Sequence, residues 1–312
     1  MGSAQVAPWA AVAAVATALL VGTYAVAVLD SALGQVISGG GMGLRRALAL
    51  PWRKAAFLLA QERIRTERPD ATLWALAPAL YGGLAAAALT VIPLSPTLVV
   101  ADLRSGIVWW GALEALVMVA VYLHGWAPNS VFPLIGAYRF VAQVVSYELL
   151  SMFVLIAAAL PAESLALTDI VRAQEGVWNA VRHPPALPLW IVVTLGVSFW
   201  GPLNLPDSED LAGGTSAEAS GSHRLVWALA RAAMLVAFSA MGATAFLGGW
   251  LGPWLPGPIW VIVKTLALLV VVVALGHLLP RFRAERFVSL AWTVLLPLAF
   301  LDLVIAGLEA LR

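Results

Sequence analysis

Seven ionisable residues interrupt long apolar stretches of this 312-residue chain. A charged side chain at the centre of a bilayer costs about 3 kcal/mol on insertion scales, so such residues usually line ion paths or polar cavities. They are Glu114, Arg139, Glu148, Arg231, Lys264, His277 and Asp302. Residues of these types at these depths predict either proton or ion movement or hydrogen-bonded pairs inside the protein.

Glu114 and Glu148 lie deepest in their apolar stretches, and carboxylate side chains are too short to reach a membrane surface from there. We expect each of them to be either a protonated acid in a structural hydrogen bond or one station of a proton relay. Lys264, two turns into its own stretch, is the expected partner of one of them. Three further residues lie nearer to segment ends, where snorkelling and function both stay open: Arg139, Arg231 and His277.

The segment 202–221 is the most unusual part of the sequence. It contains four acids, no basic residue, and several Pro and Gly residues. The acids are Asp207, Glu209, Asp210 and Glu218. A solvated loop has this composition, but the Pro and Gly punctuation between two apolar stretches favours an ordered loop docked against another protein.

The composition identifies the setting of these residues. Hydrophobic residues make up 62% of the chain and charged residues only 11%, whereas soluble domains carry about 25% charge. This excludes a cytosolic enzyme, a disordered regulator and a nucleic-acid binder, and the net charge of +1 selects no partner. The chain has no cysteine, so any redox cofactor belongs to another subunit or is a diffusible ligand. The sequence predicts an all-α integral membrane protein.

About eight apolar stretches are long enough to span a bilayer, which takes about 20 residues each. We place them near 9–29, 73–95, 106–124, 137–160, 187–205, 225–249, 258–279 and 288–310. The first lacks the basic flank of a signal peptide and is too long for one, so it is read as a true span. The whole chain, 1–312, is expected to form a single transmembrane domain.

The basic residues predict orientation. The segments 45–68, which includes Arg65, and 281–286 are rich in Arg, and eight spans place both on one side together with 206–224. The positive-inside rule then puts these loops in the cytoplasm and both termini outside. Within 44–62, apolar residues recur at helical spacing between Arg and Lys, which predicts an amphipathic helix at the membrane interface after the first span. No internal repeat is visible, which weakens a secondary-transporter interpretation.

Several motifs resemble one family in its own order. The run Pro202-Leu-Asn-Leu-Pro-Asp-Ser-Glu209 resembles the Pro-Phe-Asp-Leu-Pro-Glu-Ala-Glu signature of the quinone-site membrane subunit of respiratory complex I, called H in bacteria and 1 in mitochondria, and related membrane-bound hydrogenases share this subunit. Gly125-Trp-Ala-Pro-Asn-Ser130 resembles its Gly-Trp-Ala-Ser-Asn-Ser motif. Further matches are Gly136–Glu148, Gly248–Trp250, Pro256–Lys264, Leu279–Arg283 and Leu295–Leu298. The resemblance covers about residues 74–300.

This resemblance implies a subunit that is not catalytic alone. Its cytoplasmic loops, among them the acidic loop 202–224, would contact peripheral subunits and enclose a quinone chamber in an NADH (or ferredoxin):quinone oxidoreductase. Quinone would be the substrate, and iron–sulfur clusters and flavin would belong to partner subunits of the peripheral arm, with no cofactor or metal on this chain. The assembly would lie in a bacterial plasma membrane and translocate protons through acids that begin in this subunit.

The resemblance also assigns residues by position. Proton-path candidates are Glu148, Arg139, Glu114 and Lys264, with Glu148 and Arg139 as the first pair. Candidates for the quinone chamber and its loop are Asp207, Glu209, Asp210, Glu218, Arg281, Arg283 and Glu285. Asp207 and Glu209 are the loop acids expected to sense quinone reduction.

The sequence departs from the family at the chamber. Val197 and Trp200 stand where the family has a Glu-x-x-Arg pair, Asn204 replaces an Asp, and Arg231 stands near a position where the family often has Glu. These changes keep an alternative open: the ion-translocating membrane subunit of a formate-hydrogenlyase-type hydrogenase. A large partner subunit with two Cys-x-x-Cys pairs that hold nickel and iron would indicate the hydrogenase, and their absence the quinone enzyme.

Overall fold

The computed structural model describes residues 8–41, 43–64 and 66–311, which fold into helices joined by loops and short 3-10 turns. Within these residues, seven helices are long and apolar enough to cross a membrane. In chain order the helices are α1 (Pro8–Ile37), α2 (Leu44–Ala60), α3 (Ala71–Leu89), α4 (Gly106–Trp126), α5 (Val131–Ala159), α6 (Leu167–Arg172), α7 (Asn179–Arg182), α8 (Ala186–Val197), α9 (Gly221–Phe246), α10 (Gly257–Leu278), α11 (Ala284–Leu290) and α12 (Leu296–Ala310). A π-helical turn, Ala291–Leu295, joins α11 to α12 into the last span.

Helix α2 is the amphipathic helix that the sequence predicts after the first span. It packs against α1 and α9, and the Tyr24 hydroxyl donates a 2.9 Å hydrogen bond to the Leu48 carbonyl. Trp52 and Phe57 remain exposed beside Arg53 and Lys54, which is the surface of a helix that lies in the headgroup region. Arg65, counted in this basic segment, lies outside the described residues.

The predicted span at 187–205 is shorter than expected. Helix α8 has 12 residues, which is about 18 Å at 1.5 Å per residue and less than the roughly 30 Å of a hydrocarbon core. The helix ends because Phe199 adopts a positive φ of 37° and a 3-10 turn over Gly201–Leu203 follows. Eight of the 12 residues of α8 are buried, so neighbouring parts of the protein can bond the irregular backbone that lipid could not.

Helix α8 nevertheless joins the two ends of the bundle. The loop before it is tied to the α9–α10 loop, where the Gly248 amide donates to Gln174 at 3.0 Å. The loop after it is tied to the opposite end, where the Phe282 amide donates to the Pro202 carbonyl at 2.9 Å. Over the residues that the structure describes, the chain therefore passes eight times between the ends, seven times by long helices and once by the short α8.

One end of the bundle collects the loops that matter for the site; we call it the loop face. It contains the linker 61–70, the turn 127–130, the loop 198–220 and the turn 279–283. The Ile64 amide donates to Ser220 at 2.7 Å and the Ser130 hydroxyl donates to Glu218 at 2.8 Å. These bonds place the basic linker and the acidic loop on the same side, as the sequence predicts.

Helix α9 lies at the centre and packs against α3, α8 and α10. Aromatic side chains fill the space around it: Trp110, Trp190 and Phe238 form one contact group, and Tyr81 and Phe199 stack at 5.9 Å nearer the loop face. Close approach also fixes the loop to α10, because a Cβ on Gly201 would lie 2.3 Å from the Gly276 Cα. This rigid core positions the loop 198–220.

Candidate functional site

Asp207 is the anchor of the 198–220 loop. Its carboxylate is almost enclosed, with 7% of the side chain exposed. It accepts hydrogen bonds from the hydroxyls of Thr215 and, at 3.0 Å, Ser216, and from Arg231 Nη1 at 3.0 Å. Sequence reasoning treated Asp207 as a sensing acid and left Arg231 open between snorkelling and function. The structure joins the two in one ion pair.

Arg231 reaches from α9 into the loop rather than to the membrane surface. Its Nη2 donates to the Phe199 carbonyl at 2.7 Å, and its guanidinium carbon lies 4.1 Å from the Phe199 ring centroid and 5.7 Å from that of Trp200. A guanidinium can make these contacts at once because it is planar and has several donors. Arg231 thus holds together the end of α8, the loop and α9.

Arg139 also contacts the loop, through a second acid. Its Nη1 and Nη2 donate to the two oxygens of Asp210 at 3.1 and 2.8 Å. The pair is exposed, and the hydrogen bond from Arg139 is the main cause that lowers the pKa of Asp210. Arg139 thus bonds Asp210 and not Glu148, which lies nine residues or two and a half turns further along α5; the role of Arg139 and Glu148 in a proton path stays a prediction.

The remaining loop acids differ in their surroundings. Glu218 accepts the 2.8 Å hydrogen bond from Ser130. Glu209 is exposed and makes no side-chain hydrogen bond or ion pair with the described residues. Of the four acids, Glu209 therefore presents the carboxylate most available to a partner at the loop face.

A stripe of polar side chains runs down α5 from the loop face into the bundle. Gln143, Tyr147 and Ser151 are spaced four residues apart, so they share one face of the helix, and all three are buried. The Gln143 amide nitrogen donates to the Gly196 carbonyl at 2.6 Å. The Gln143 amide oxygen and the Tyr147 hydroxyl have no partner among the described residues.

Glu114 lies at the inner end of this stripe. Its Oε2 accepts a 2.6 Å hydrogen bond from Ser151, while the buried Oε1 has no partner among the described residues. The glutamate is 1% exposed and is surrounded by apolar side chains such as Trp110, Met234 and Phe238. A carboxyl group in such a place can hold or release a proton at its free oxygen, and no cation among the described residues fixes its charge.

Lys264 is not the partner of either glutamate. Its Nζ donates to the carbonyls of Gly249 at 3.0 Å and Leu251 at 2.6 Å, and it lies 4.5 Å from the Trp178 ring centroid. These contacts belong to the loop that precedes α10, at the end opposite the loop face. The predicted pairing of Lys264 with Glu114 or Glu148 is wrong, because the first turns of α10 place Lys264 beside loop carbonyls that accept no hydrogen bond within a helix.

The positions where the sequence departs from its family are filled by packing. Val197 is fully buried and its carbonyl accepts from the Tyr81 hydroxyl at 2.8 Å. Trp200 packs on Gly276, and the buried Asn204 amide oxygen has no partner among the described residues. The exposed Arg281, Arg283 and Glu285 make no side-chain bonds within the described part of the chain, so the structure does not join them to the loop network.

Sequence reasoning missed two contacts of histidines. His124 and His223, 99 residues apart, meet with Nε2 atoms at 3.2 Å; neither stands in a motif, so only the fold brings them together. The buried His183 lies with Nδ1 3.7 Å from Asp302 Oδ1. Within the described residues, no three His, Asp or Glu side chains converge where a metal ion would bind.

Fold and site together define a class: an all-α polytopic membrane protein with ionisable groups in its interior and a folded acidic loop over one end. The chain belongs to the NADH dehydrogenase family, whose model matches residues 10–307. It is 35% identical over 260 residues to an H subunit of the NADH-quinone oxidoreductase of Geobacter metallireducens, covering 80% of this chain and 79% of that protein. It is 34% identical over 268 residues to the H subunit of the NADH-quinone oxidoreductase of Pelagibacter ubique, covering 83% and 80%.

Proposed function

We propose that this chain is the quinone-site membrane subunit of a proton-translocating NADH (or ferredoxin):quinone oxidoreductase, in which it links the peripheral redox arm to the membrane arm. The relatives at about 35% identity are named as the H subunit of such an enzyme, so the chain acts as one subunit of a larger complex. Quinone is the proposed substrate. The chain has no cysteine, which agrees with iron–sulfur clusters and flavin on partner subunits.

The loop face is the proposed floor of the quinone chamber. Asp207 and Arg231 fix the loop 198–220 from below, while Glu209 and the Arg139–Asp210 pair stand on its exposed surface. Peripheral subunits would cover this surface and supply the electrons. In this arrangement Glu209, rather than the ion-paired Asp207, is the acid free to respond to charge changes at the quinone.

The observation that carries the proton-path proposal is the buried, unpartnered oxygen of Glu114 at the inner end of the Gln143–Tyr147–Ser151 stripe. Burial of a polar group inside an apolar bundle costs free energy, and ionisable residues at such positions usually have a functional role. The stripe extends over the nine residues from Gln143 to Ser151, a rise of about 12 Å, and leads from the loop face to Glu114. Glu148, half-buried one position beyond Tyr147 on α5, is the next proposed station.

The test uses Glu114→Gln and Glu148→Gln in the assembled complex in native membranes, with the exposed Glu175→Gln as the matched control. A neutral amide keeps the shape but cannot carry the proton. We expect normal assembly, a several-fold loss of quinone reductase activity that is coupled to proton translocation, and no change in the control. Wild-type turnover together with wild-type proton translocation in both variants would overturn the proton path.

One observation keeps the hydrogenase-type alternative in the test. Val197 and Trp200 pack as apolar side chains where the family has charged ones, so the charged lining of a quinone chamber is reduced. Isolation of the complex through this chain identifies its large peripheral partner. If that partner contains two Cys-x-x-Cys pairs with bound nickel and iron, the complex is a hydrogenase, and its electron acceptor is protons rather than quinone.

A further inference from the structure

His124 and His223 form an imidazole pair that the proposed proton path does not use. His124 lies in the last turn of α4 and His223 in the first turn of α9, and their Nε2 atoms lie 3.2 Å apart. The ring planes differ by only 4° and the ring centroids are 5.2 Å apart, which is 2.0 Å more than the distance between the nitrogens. The rings therefore meet edge to edge, with the two nitrogens pointing at each other.

This geometry is that of a shared proton. A neutral imidazole has one N–H donor and one acceptor nitrogen, so one Nε2–H can donate to the other Nε2. Two ligands of one metal ion would instead direct their lone pairs to a common point at the side. The pair is thus built for an N–H···N hydrogen bond between two rings of opposite tautomer.

The surroundings hold both rings in place. His124 stacks face to face on Trp227 with centroids 3.6 Å apart, and His223 packs against Trp74 at 4.7 Å. The electron-rich faces of indole rings stabilise a passing positive charge. Because indole rings are large and stiff, they also fix the distance over which the proton must move.

The pair has one end near solvent, which we call the wet end, and one buried end, which we call the dry end. His223 is partly exposed, and its neighbour Ser222 accepts from Arg63 of the linker at 2.8 Å. His124 is fully buried and its Nδ1 has no hydrogen-bond partner among the described residues. Helix α4 packs against the Gly214–Ser216 turn, where the Thr215 hydroxyl donates to Asp207, so the dry end lies at the underside of the 198–220 loop.

The charged groups around the pair favour transfer over storage. Arg231 lies one turn of α9 from Trp227, on which His124 stacks, and Arg63 of the linker bonds Ser222 beside His223. With a cation close to each ring, a positive charge that stays on the pair is unfavourable. Asp207, the loop acid that bonds Thr215, is already paired with Arg231.

We propose that His124 and His223 form a two-imidazole relay that delivers protons from the aqueous linker to the underside of the 198–220 loop. The inference rests on the proposed function, because quinone reduction to quinol takes up two electrons from a partner subunit and two protons. For each proton, His223 Nδ1 gains one, the shared proton passes from His223 Nε2 to His124 Nε2, and His124 Nδ1 releases one. After each passage both rings hold the opposite tautomer, and exchange of a proton with water while the N–H···N bond is open returns each ring to its starting tautomer and resets the relay.

The test compares His124→Gln and His223→Gln with His277→Gln in the assembled complex. His277 also lies near the loop face but bonds Asp30 at 3.0 Å, so it is the matched control. Glutamine retains a donor and an acceptor but cannot pass a proton. We expect the quinone reductase rate to fall about tenfold or more at alkaline pH, where free protons are scarce, and much less at acidic pH, with assembly unchanged. His277→Gln keeps the wild-type profile.

A second variant separates relay from packing. In His223→Ala, added imidazole and substituted imidazoles should restore the rate, and the restored rate should follow the pKa of the added base. An unchanged pH profile in both Gln variants overturns the relay, and so does a loss that is equal at every pH and not restored by imidazole. Absence of quinone reduction in wild-type membranes would instead refute the proposed function. The histidine pair can still be tested in that case, because ¹⁵N spectra report whether His223→Gln shifts the His124 Nε2 resonance, as loss of a hydrogen bond between the rings should do.

Discussion

Arg231 Nη1 lies 3.0 Å from Asp207 Oδ2, and this ion pair fastens the 198–220 loop to the central helix α9. Both side chains are largely buried, at 18% and 7% exposure. The pair has a direct consequence for the chamber above it: its two charges cancel, so the loop face presents Glu209 and the Arg139–Asp210 pair instead.

Breaking this pair should destabilise the loop. Removal of one partner of a buried ion pair typically costs about 3–5 kcal/mol, because the other charge is left uncompensated. We expect Arg231→Met and Asp207→Asn each to lower the thermal unfolding temperature of the detergent-solubilised complex, and the double variant to be less unstable than the sum. The exposed pair Arg172–Asp169 is the control, and Arg172→Met should change little. Additive effects of Arg231→Met and Asp207→Asn would contradict a direct pair.

The Arg139–Asp210 pair should contribute little to the free energy of unfolding, and only above acidic pH. Because the hydrogen bond from Arg139 lowers the pKa of Asp210 below its ordinary value of 3.8, the stabilisation is complete above that value and is lost as the pH falls through the lowered pKa. Exposure limits the effect to less than about 1 kcal/mol. Unfolding of wild type and Asp210→Asn should therefore differ slightly at neutral pH and converge at strongly acidic pH. A difference that grows on acidification would refute this assignment.

His183 should make the protein less stable below neutral pH. Burial is the main cause that lowers its pKa from 6.5, against the opposing attraction of Asp302. The unfolded chain therefore binds a proton that the folded chain does not, and stability falls as the pH drops through about 6.5 and continues to fall to the lowered folded pKa. His183→Gln should flatten this part of the stability profile, measured by unfolding in detergent, and an equally steep profile in that variant would contradict the assignment.

Lys264 should act on the structure of the opposite end rather than on proton coupling. It donates to two loop carbonyls, and buried carbonyls that lose a donor cost about 1–3 kcal/mol. We expect Lys264→Met to lower stability and assembly, while the ratio of protons translocated to quinone reduced stays at the wild-type value in the complexes that form. Loss of coupling at normal stability would place Lys264 on the proton path after all.

The absence of native cysteine makes the proposed orientation directly testable. Glu62→Cys lies in the linker of the loop face, and Glu163→Cys lies in the loop after α5 at the other end; both positions are exposed. If both termini are outside, a membrane-impermeant maleimide added to intact cells should label the variant at 163 and not the one at 62. The reverse pattern would invert the proposed topology.

Much of the fold could be read from the sequence, because lipid imposes a simple rule: a span must be long, apolar and helical. That rule identified seven long helices and, through Arg and Lys at helical spacing, the amphipathic α2. It failed at α8, where the surrounding protein rather than lipid solvates the backbone, so that Phe199 and the turn at Gly201–Leu203 can end the helix early.

The sequence by itself determined which residues are unusual: Glu114, Glu148, Arg231, Lys264 and the acidic loop are visible because charge stands out in an apolar chain. It did not determine their partners. Arg231 meets Asp207, Arg139 meets Asp210, and His124 meets His223 across 24 to 99 residues of sequence. Only tertiary packing sets such distances, since a hydrogen bond depends on the position of two atoms within a few tenths of an ångström, and sequence spacing fixes that position only along a single helix.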